Sequence, residues 1–255
     1  MVGEQATHLY EDAQKMIEKI ISRKLLQPKA IFGLFEANTV GEDDIRVSKN
    51  GTELVTFRTL RQQLKKKEGT PNLALADFVA PEASGVQDYM GAFCVAIFGA
   101  EEIANKYKEE HDDYHAILVQ AIADRFAEAF AEYLHHQVRV KHWGYAASED
   151  LSNEELIKEA YKGIRPAPGY PACPDHLEKD SIWELLGVEE HIGVKLTESR
   201  AMWPASAVSG YYFANPESKY FGLGKITSEQ VKDYAERKGI SEEMAEKWLQ
   251  PNLAE

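Results

Sequence analysis

Three prolines within seven residues, in Arg165-Pro166-Ala167-Pro168-Gly169-Tyr170-Pro171, constrain this chain more than any other stretch. Each proline fixes φ near about −65° and removes a backbone donor, so the segment can be neither a helix interior nor a central strand. A rigid, extended loop is what remains. Around the permissive Gly169, such a loop holds one guanidinium (Arg165) and one phenol (Tyr170). It can present both side chains and its backbone polar groups to a ligand with little loss of entropy. A stiff linker that only turns the chain is the other reading.

On either side of this loop the hydrophobic pattern predicts alternating elements. Residues Thr7 to Leu26 place Leu9, Ala13, Met16, Ile17, Ile20 and Lys24 on one face of an amphipathic helix that ends before Pro28. Lys29 to Ala37 is apolar on both faces, as a central strand is. Ile45–Val47 and Leu54–Phe57 flank Lys49-Asn50-Gly51, a hairpin signal. Lys65-Lys66-Lys67 reads as a solvated helix face, and Leu73–Val79 and Met90–Phe98 as two buried strands. Asp113 to Trp143 should be the longest helix, and Ser181 to Gly187 a short one. Ala207–Ala214 and Lys219–Lys225 form a second hairpin signal around Asn215-Pro216-Glu217-Ser218. Thr227 and Gln230 make a capping box for a helix closed by Gly239, and Ser241 caps the last helix before Pro251. No repeat, low-complexity tract or linker divides the chain. The economical reading is a single α+β domain over residues 1–255, an antiparallel β-sheet with flanking helices.

Charge and composition exclude several partners. The chain has 255 residues, 44% of them hydrophobic, enough for a sizeable core. Its net charge of −13 argues against nucleic acid and against anionic membrane surfaces. With two cysteines, Cys94 and Cys173, a disulfide framework is not expected, and a reducing cytoplasm is the default. No apolar run is long enough to span a bilayer and no signal peptide pattern opens the chain, so a soluble protein is expected.

Standard chemical motifs are missing: no Gly-x-Gly-x-x-Gly, no P-loop, no Gly-x-Ser-x-Gly and no His-Glu-x-x-His. Cys173 with His176 offers two metal ligands where three or four are needed, and His135-His136 points its rings to different sides of a helix, so no metal site is expected. Asp113-Tyr114-His115 starts like a cobalamin-binding fingerprint, but Ala116-Ile117-Leu118 follows where that motif needs glycine. No catalytic residue is assigned.

The run Arg165 through His176, with Leu196-Thr-Glu-Ser199, Ala201-Met-Trp-Pro204 and Ala207-Val-Ser-Gly210, resembles the signature of the activation domain of cobalamin-dependent methionine synthase. The likeness extends through Val231–Gly239 and Trp248–Leu253, and upstream through Ala74, Asp77–Pro81 and Asp124–Glu132, so it covers nearly the whole chain. That domain binds S-adenosylmethionine (AdoMet), whose carboxylate, amine, sulfonium and flat adenine find partners here in a guanidinium, carboxylates, backbone carbonyls and aromatic rings.

The resemblance implies that Arg165 holds the ligand carboxylate and that the backbone from Pro166 through Ala167 and Gly169 to Tyr170 lines the groove. Tyr220 and Phe221 match the family's aromatic pair, with Phe221 where some relatives have a second tyrosine; Glu128 and Glu159 match acidic positions near the ligand, ordinary exposed carboxylates being the other reading. In the family the domain begins before the residues resembling Met1 to Glu4, with a segment whose aspartate contacts AdoMet; the implied chain is a fragment or a shortened relative.

The implied function is reductive remethylation of cob(II)alamin, with AdoMet as methyl source, cobalamin held by another domain of methionine synthase, and flavodoxin or a related reductase supplying the electron. Such a domain belongs to a methyltransferase but makes no methionine alone. A docking module for a corrinoid domain or flavodoxin, without usable AdoMet affinity, is the alternative.

Overall fold

The computed structural model describes residues 2–254, so Met1 and Glu255 of the expected domain lie outside the described residues. The elements in chain order are α1 (Val2–Arg23), β1 (Gln27–Val40), β2 (Asp44–Lys49), β3 (Thr52–Arg58), β4 (Asp88–Phe98), α2 (Ala100–Glu109), α3 (Asp113–Gln137) and α4 (Asn153–Ile157). After the proline loop come α5 (Glu178–Leu186), α6 (Val188–Ile192), β5 (Lys195–Leu196), β6 (Met202–Trp203), β7 (Ala207–Tyr212), α7 (Ser228–Lys238) and α8 (Glu242–Leu249). This is the expected α+β fold around an antiparallel sheet. Its five strands run in the order β3-β2-β1-β4-β7, with β5 and β6 as a separate antiparallel pair.

β1 is the middle strand, as its two apolar faces require. It pairs antiparallel with β2 in the register Ala37 to Val47 and Thr39 to Ile45. β2 turns into β3 through Asn50 and Gly51, both left-handed (φ 52° and 76°), the conformation of a two-residue hairpin whose twist matches the strands. β4 is buried without interruption from Met90 to Ile97. Gly91 is obligatory there: a Cβ would lie 2.9 Å from Tyr212 and 3.0 Å from Leu34.

Contacts divide the chain into two compact units. The first comprises 1–31, 94–134 and 189–208. In it Met16 and Ile20 of α1 pack with Ala104, Ala116, Val119 and Ile122, each large side chain gaining about 1.5–3 kcal/mol from burial. Leu9, expected on that face, is instead 50% exposed; Met16 and Ile20, with the partly buried Ala13 and Ile17, are the α1 residues that pack into this cluster. α1 ends as Lys24 turns left-handed and Leu25 N–H reaches the Ile20 carbonyl at 3.0 Å.

The second unit comprises 32–93, 135–188 and 209–255. Its core gathers Leu60, Leu223, Ile226, Val231, Tyr234 and Leu249. Several expected elements take other forms here. Leu73–Val79 contains a 3₁₀ turn, Leu75–Phe78, not a strand. Asp77 accepts from the Ala74 N–H and from a two-pronged Arg61, which fixes a turn that no pleated strand could supply. Lys65–Lys67 is not helical; Lys66 donates to the carbonyl of Pro71 across a turn. Lys219–Lys225 forms no strand, because it lies along the proline loop, whose prolines have no N–H to offer a ladder. Thr227 takes the cap position of α7 without a side-chain bond, and Gln230 donates to the Arg61 carbonyl instead of closing a capping box. Ser241 caps α8 as expected. α3 is the longest helix and passes into a π turn, Val138–His142, before Trp143.

Candidate functional site

The proline loop is pinned to the strand β7 and its extension. Ile164 and Phe213 exchange both backbone hydrogen bonds at 3.0 Å, and the Tyr211 N–H donates to the Pro166 carbonyl at 2.9 Å. The approach is close enough to demand glycine on the strand: a Cβ at Gly210 would sit 2.5 Å from the Pro166 oxygen. At its far end the loop closes on itself, with Gly169 N–H to Cys173 carbonyl at 2.7 Å and Cys173 N–H to Tyr170 carbonyl at 2.9 Å. Gly169 has φ 91°, and a Cβ there would fall 2.3 Å from the His176 ring. The Ala167 N–H makes no hydrogen bond among the described residues.

Tyr220 and Phe221 come to this loop from the segment alongside. The Arg165 N–H donates to the Tyr220 hydroxyl at 3.0 Å, and the Leu223 N–H to the Pro171 carbonyl at 2.8 Å. Phe221 packs edge-on against Phe78 with ring centres 6.3 Å apart. Arg165, Pro166, Ala167, Gly169, Tyr170, Tyr220 and Phe221 are thus brought together, with Tyr170 61% exposed and Tyr220 40% exposed. Glu159 is exposed beyond the end of α4, and Glu128 is exposed on α3 in the other compact unit.

Around Arg165 lie residues the sequence did not mark. Its Nη1 donates to the Tyr161 hydroxyl at 2.9 Å and lies 3.2 Å from Nδ1 of His135. Tyr161 lies close to two cations, the Arg139 guanidinium 4.2 Å from its ring centre and that of Arg165 at 5.7 Å. Arg139, fully buried on the π turn, makes a two-pronged pair with Glu149 at 2.7 and 2.8 Å. Tyr145 donates to the Lys162 carbonyl at 3.3 Å, and burial pushes its phenol well up. His135 is fully buried; burial first, then the charges of Arg139 and Arg165, push its pKa well below 6.5, so the ring is neutral. The sequence signal that was available is the four-residue step from His135 to Arg139, which puts both on one helical face.

Just past the loop lies a charged cluster in which Asp175, Glu178 and Tyr234 are buried and Lys238 is nearly so. Tyr234 donates to Asp175 at 2.6 Å, Lys238 lies 3.3 Å from Asp175 and pairs with Glu178, and Glu178 accepts from the Arg58 N–H at 3.1 Å. Burial raises the Cys173 thiol well above its ordinary value, so it is a protonated core group beside Tyr211. Among the described residues, no three His, Cys, Asp or Glu side chains are grouped to hold a metal.

Residues 1–239 match the family described as the vitamin B12 dependent methionine synthase, activation domain. The chain belongs to that family. This activation domain is also similar to a solved structure, the MetH reactivation domain bound to AdoHcy, with 53% sequence identity and a TM-score of 0.96. The likeness covers 100% of this chain and 79% of that one. B12-dependent methionine synthase is a methyltransferase, and this is a domain of it. No helix among the described residues is long and apolar enough to cross a membrane.

Proposed function

We propose that this activation domain binds AdoMet along the loop from Arg165 to Tyr170 and presents its methyl group for reductive remethylation of cob(II)alamin carried by another domain of methionine synthase. The observation that carries the reading is the guanidinium of Arg165, anchored at Nη1 beside a loop whose backbone is pinned at both ends. A preset fork of this kind suits a planar carboxylate, and a preset loop spends little entropy on binding. The unpartnered Ala167 N–H is a second donor on the same stretch, and Gly169 lets the backbone close in. That a MetH reactivation domain 53% identical to this chain is bound to AdoHcy, which is AdoMet without its methyl, supports the same ligand class.

Within this reading Arg165 pairs with the amino-acid carboxylate, Pro166, Ala167, Gly169 and Tyr170 line the groove through their backbone, and Tyr220 and Phe221 contribute an aromatic wall. Glu128 and Glu159 act as the acidic partners of a cationic ligand, by resemblance to the family. Bound AdoMet supplies the methyl group; the chain's own part is binding and orientation, since the reacting centre belongs to the corrinoid. The electron comes from flavodoxin or a related reductase, and the cytoplasm is the compartment where such a partner and the two free cysteines both fit.

Calorimetric titration with AdoMet and AdoHcy tests the proposal. Micromolar binding is expected. No heat at millimolar ligand overturns it in favour of a docking module without AdoMet affinity.

A further inference from the structure

We propose that His135 is a positioning residue for the ligand carboxylate, holding Arg165 through its Nδ1 so that the guanidinium fork is set before the ligand arrives. The inference rests on the role assigned to Arg165 above. A guanidinium has five donors and no acceptor, so the nitrogen 3.2 Å from Nη1 must be the unprotonated one. The hydrogen of the neutral ring therefore sits on Nε2. The other tautomer would set an N–H against an N–H, and a ring turned over would set a carbon there.

The ring has no freedom to turn. It stacks on Tyr212 with centres 5.0 Å apart and planes 10° apart, and Tyr212 stacks in turn on Phe93 at 4.6 Å and 10°. Tyr161 meets it edge-on at 5.1 Å and also accepts from Arg165, so Nη1 is held from two sides. The groups facing the ring from its surroundings are Arg139, Arg165, His136 and the phenols of Tyr161 and Tyr212. Cations in that set keep the imidazole neutral and able to accept.

A packing role alone does not explain a histidine here. Phenylalanine would fill the stack equally well without taking a polar ring out of water. Nε2 of His135 is buried with no hydrogen-bond partner, a cost the site carries in exchange for the acceptor on the other nitrogen. The polarity of the ring is accounted for by Arg165.

The test compares AdoHcy affinity by calorimetry for wild type, H135F, H135N and R165A, and for H135F and H135N each combined with R165A, with thermal melts of each. H135F keeps an aromatic ring and removes the acceptor; H135N restores an acceptor near the Nδ1 position. We expect H135F to weaken AdoHcy about tenfold, H135N to recover to within about threefold of wild type, and neither to add a loss in the R165A background. Undiminished affinity in H135F, an equal loss in the R165A background, or a folded H135N no better than H135F each overturns the proposal.

If H135F does not fold, ¹⁵N spectra of the wild-type histidines decide: hydrogen on Nε2 of His135 supports it, hydrogen on Nδ1 overturns it. Unchanged affinity in R165A sinks the Arg165 role itself, whereas a weakened R165A beside an unaffected H135F sinks only the His135 role.

Discussion

Arg165 is engaged at its backbone N–H by Tyr220 and at Nη1 by Tyr161 and His135. Its replacement therefore has two separable effects. Lysine keeps the charge and loses the fork, and should cost about 1–2 kcal/mol of AdoMet affinity; alanine should cost about 2–4. The loss of ligand affinity is the first effect. The structure adds one, since alanine also removes a donor from two buried groups, and melts should show a loss of about 1 kcal/mol. Unchanged AdoMet affinity in Arg165→Ala, by titration, would remove the ligand role. Glu159 offers a second test. It has φ 55° where α4 ends, its N–H bonded to Leu156 and the Ala160 N–H to Glu155, a helix stop that glycine normally fills. Glu159→Gly should raise stability by about 1 kcal/mol in chemical denaturation, while Glu159→Gln leaves the backbone strained and isolates any loss of AdoMet affinity. The loop residues were legible because proline announces itself. His135, Tyr161 and Arg139 were not, because only tertiary packing brings a residue on α3 to one 26 positions later.

At the scale of elements, the hairpin of β2 and β3, the buried β4 and the central β1 could be read from turn chemistry and apolar runs. The segments 75–78 and 219–225 could not, since side-chain capture by Asp77 in one and a donor-poor neighbour in the other overrode strand propensity. The junction of β7 with the proline loop was invisible to pattern, and it makes a sharp prediction. Gly210→Ala places a Cβ 2.5 Å from the Pro166 carbonyl oxygen, a backbone atom that cannot swing aside. It should push the loop off β7, cost about 1–3 kcal/mol of stability and weaken AdoMet binding. Gly222→Ala is the control: its Cβ would meet only Pro171 at 4.0 Å, and melting temperature and affinity should stay near wild type.

For the molecule as a whole, buried titratable groups define a pH window. Burial pushes the Cys94 thiol up to about 12 from 9.0 and raises Cys173, Tyr211 and Tyr234 well above their ordinary values. Their folded values exceed their unfolded ones, so the stability they leave intact is lost as pH rises beyond 9.0 for the thiols and beyond 10.0 for the phenols, at about 1.4 kcal/mol per pH unit for each group titrating only in the unfolded chain. His135 works in the opposite direction. Its folded value lies below 6.5, so its contribution is present above that pH and lost below it. Urea unfolding between pH 5 and 10.5 should show a plateau between roughly 6.5 and 9, and Cys94→Ala should flatten the alkaline limb; an unaltered limb in that variant would exclude Cys94 as a contributor. The attachment of residues 164–166 to Tyr211 and Phe213 has a further consequence. β7 is the outermost strand of its sheet, and an outermost strand with open N–H groups recruits strands from neighbouring molecules. The loop occupies those groups, and its three prolines present no donors to continue the pairing outward. The stretch proposed to hold AdoMet therefore also caps the edge of the sheet, and a single proteolytic cut between Arg165 and Pro171 should make the chain self-associate more on a sizing column than the uncut protein does.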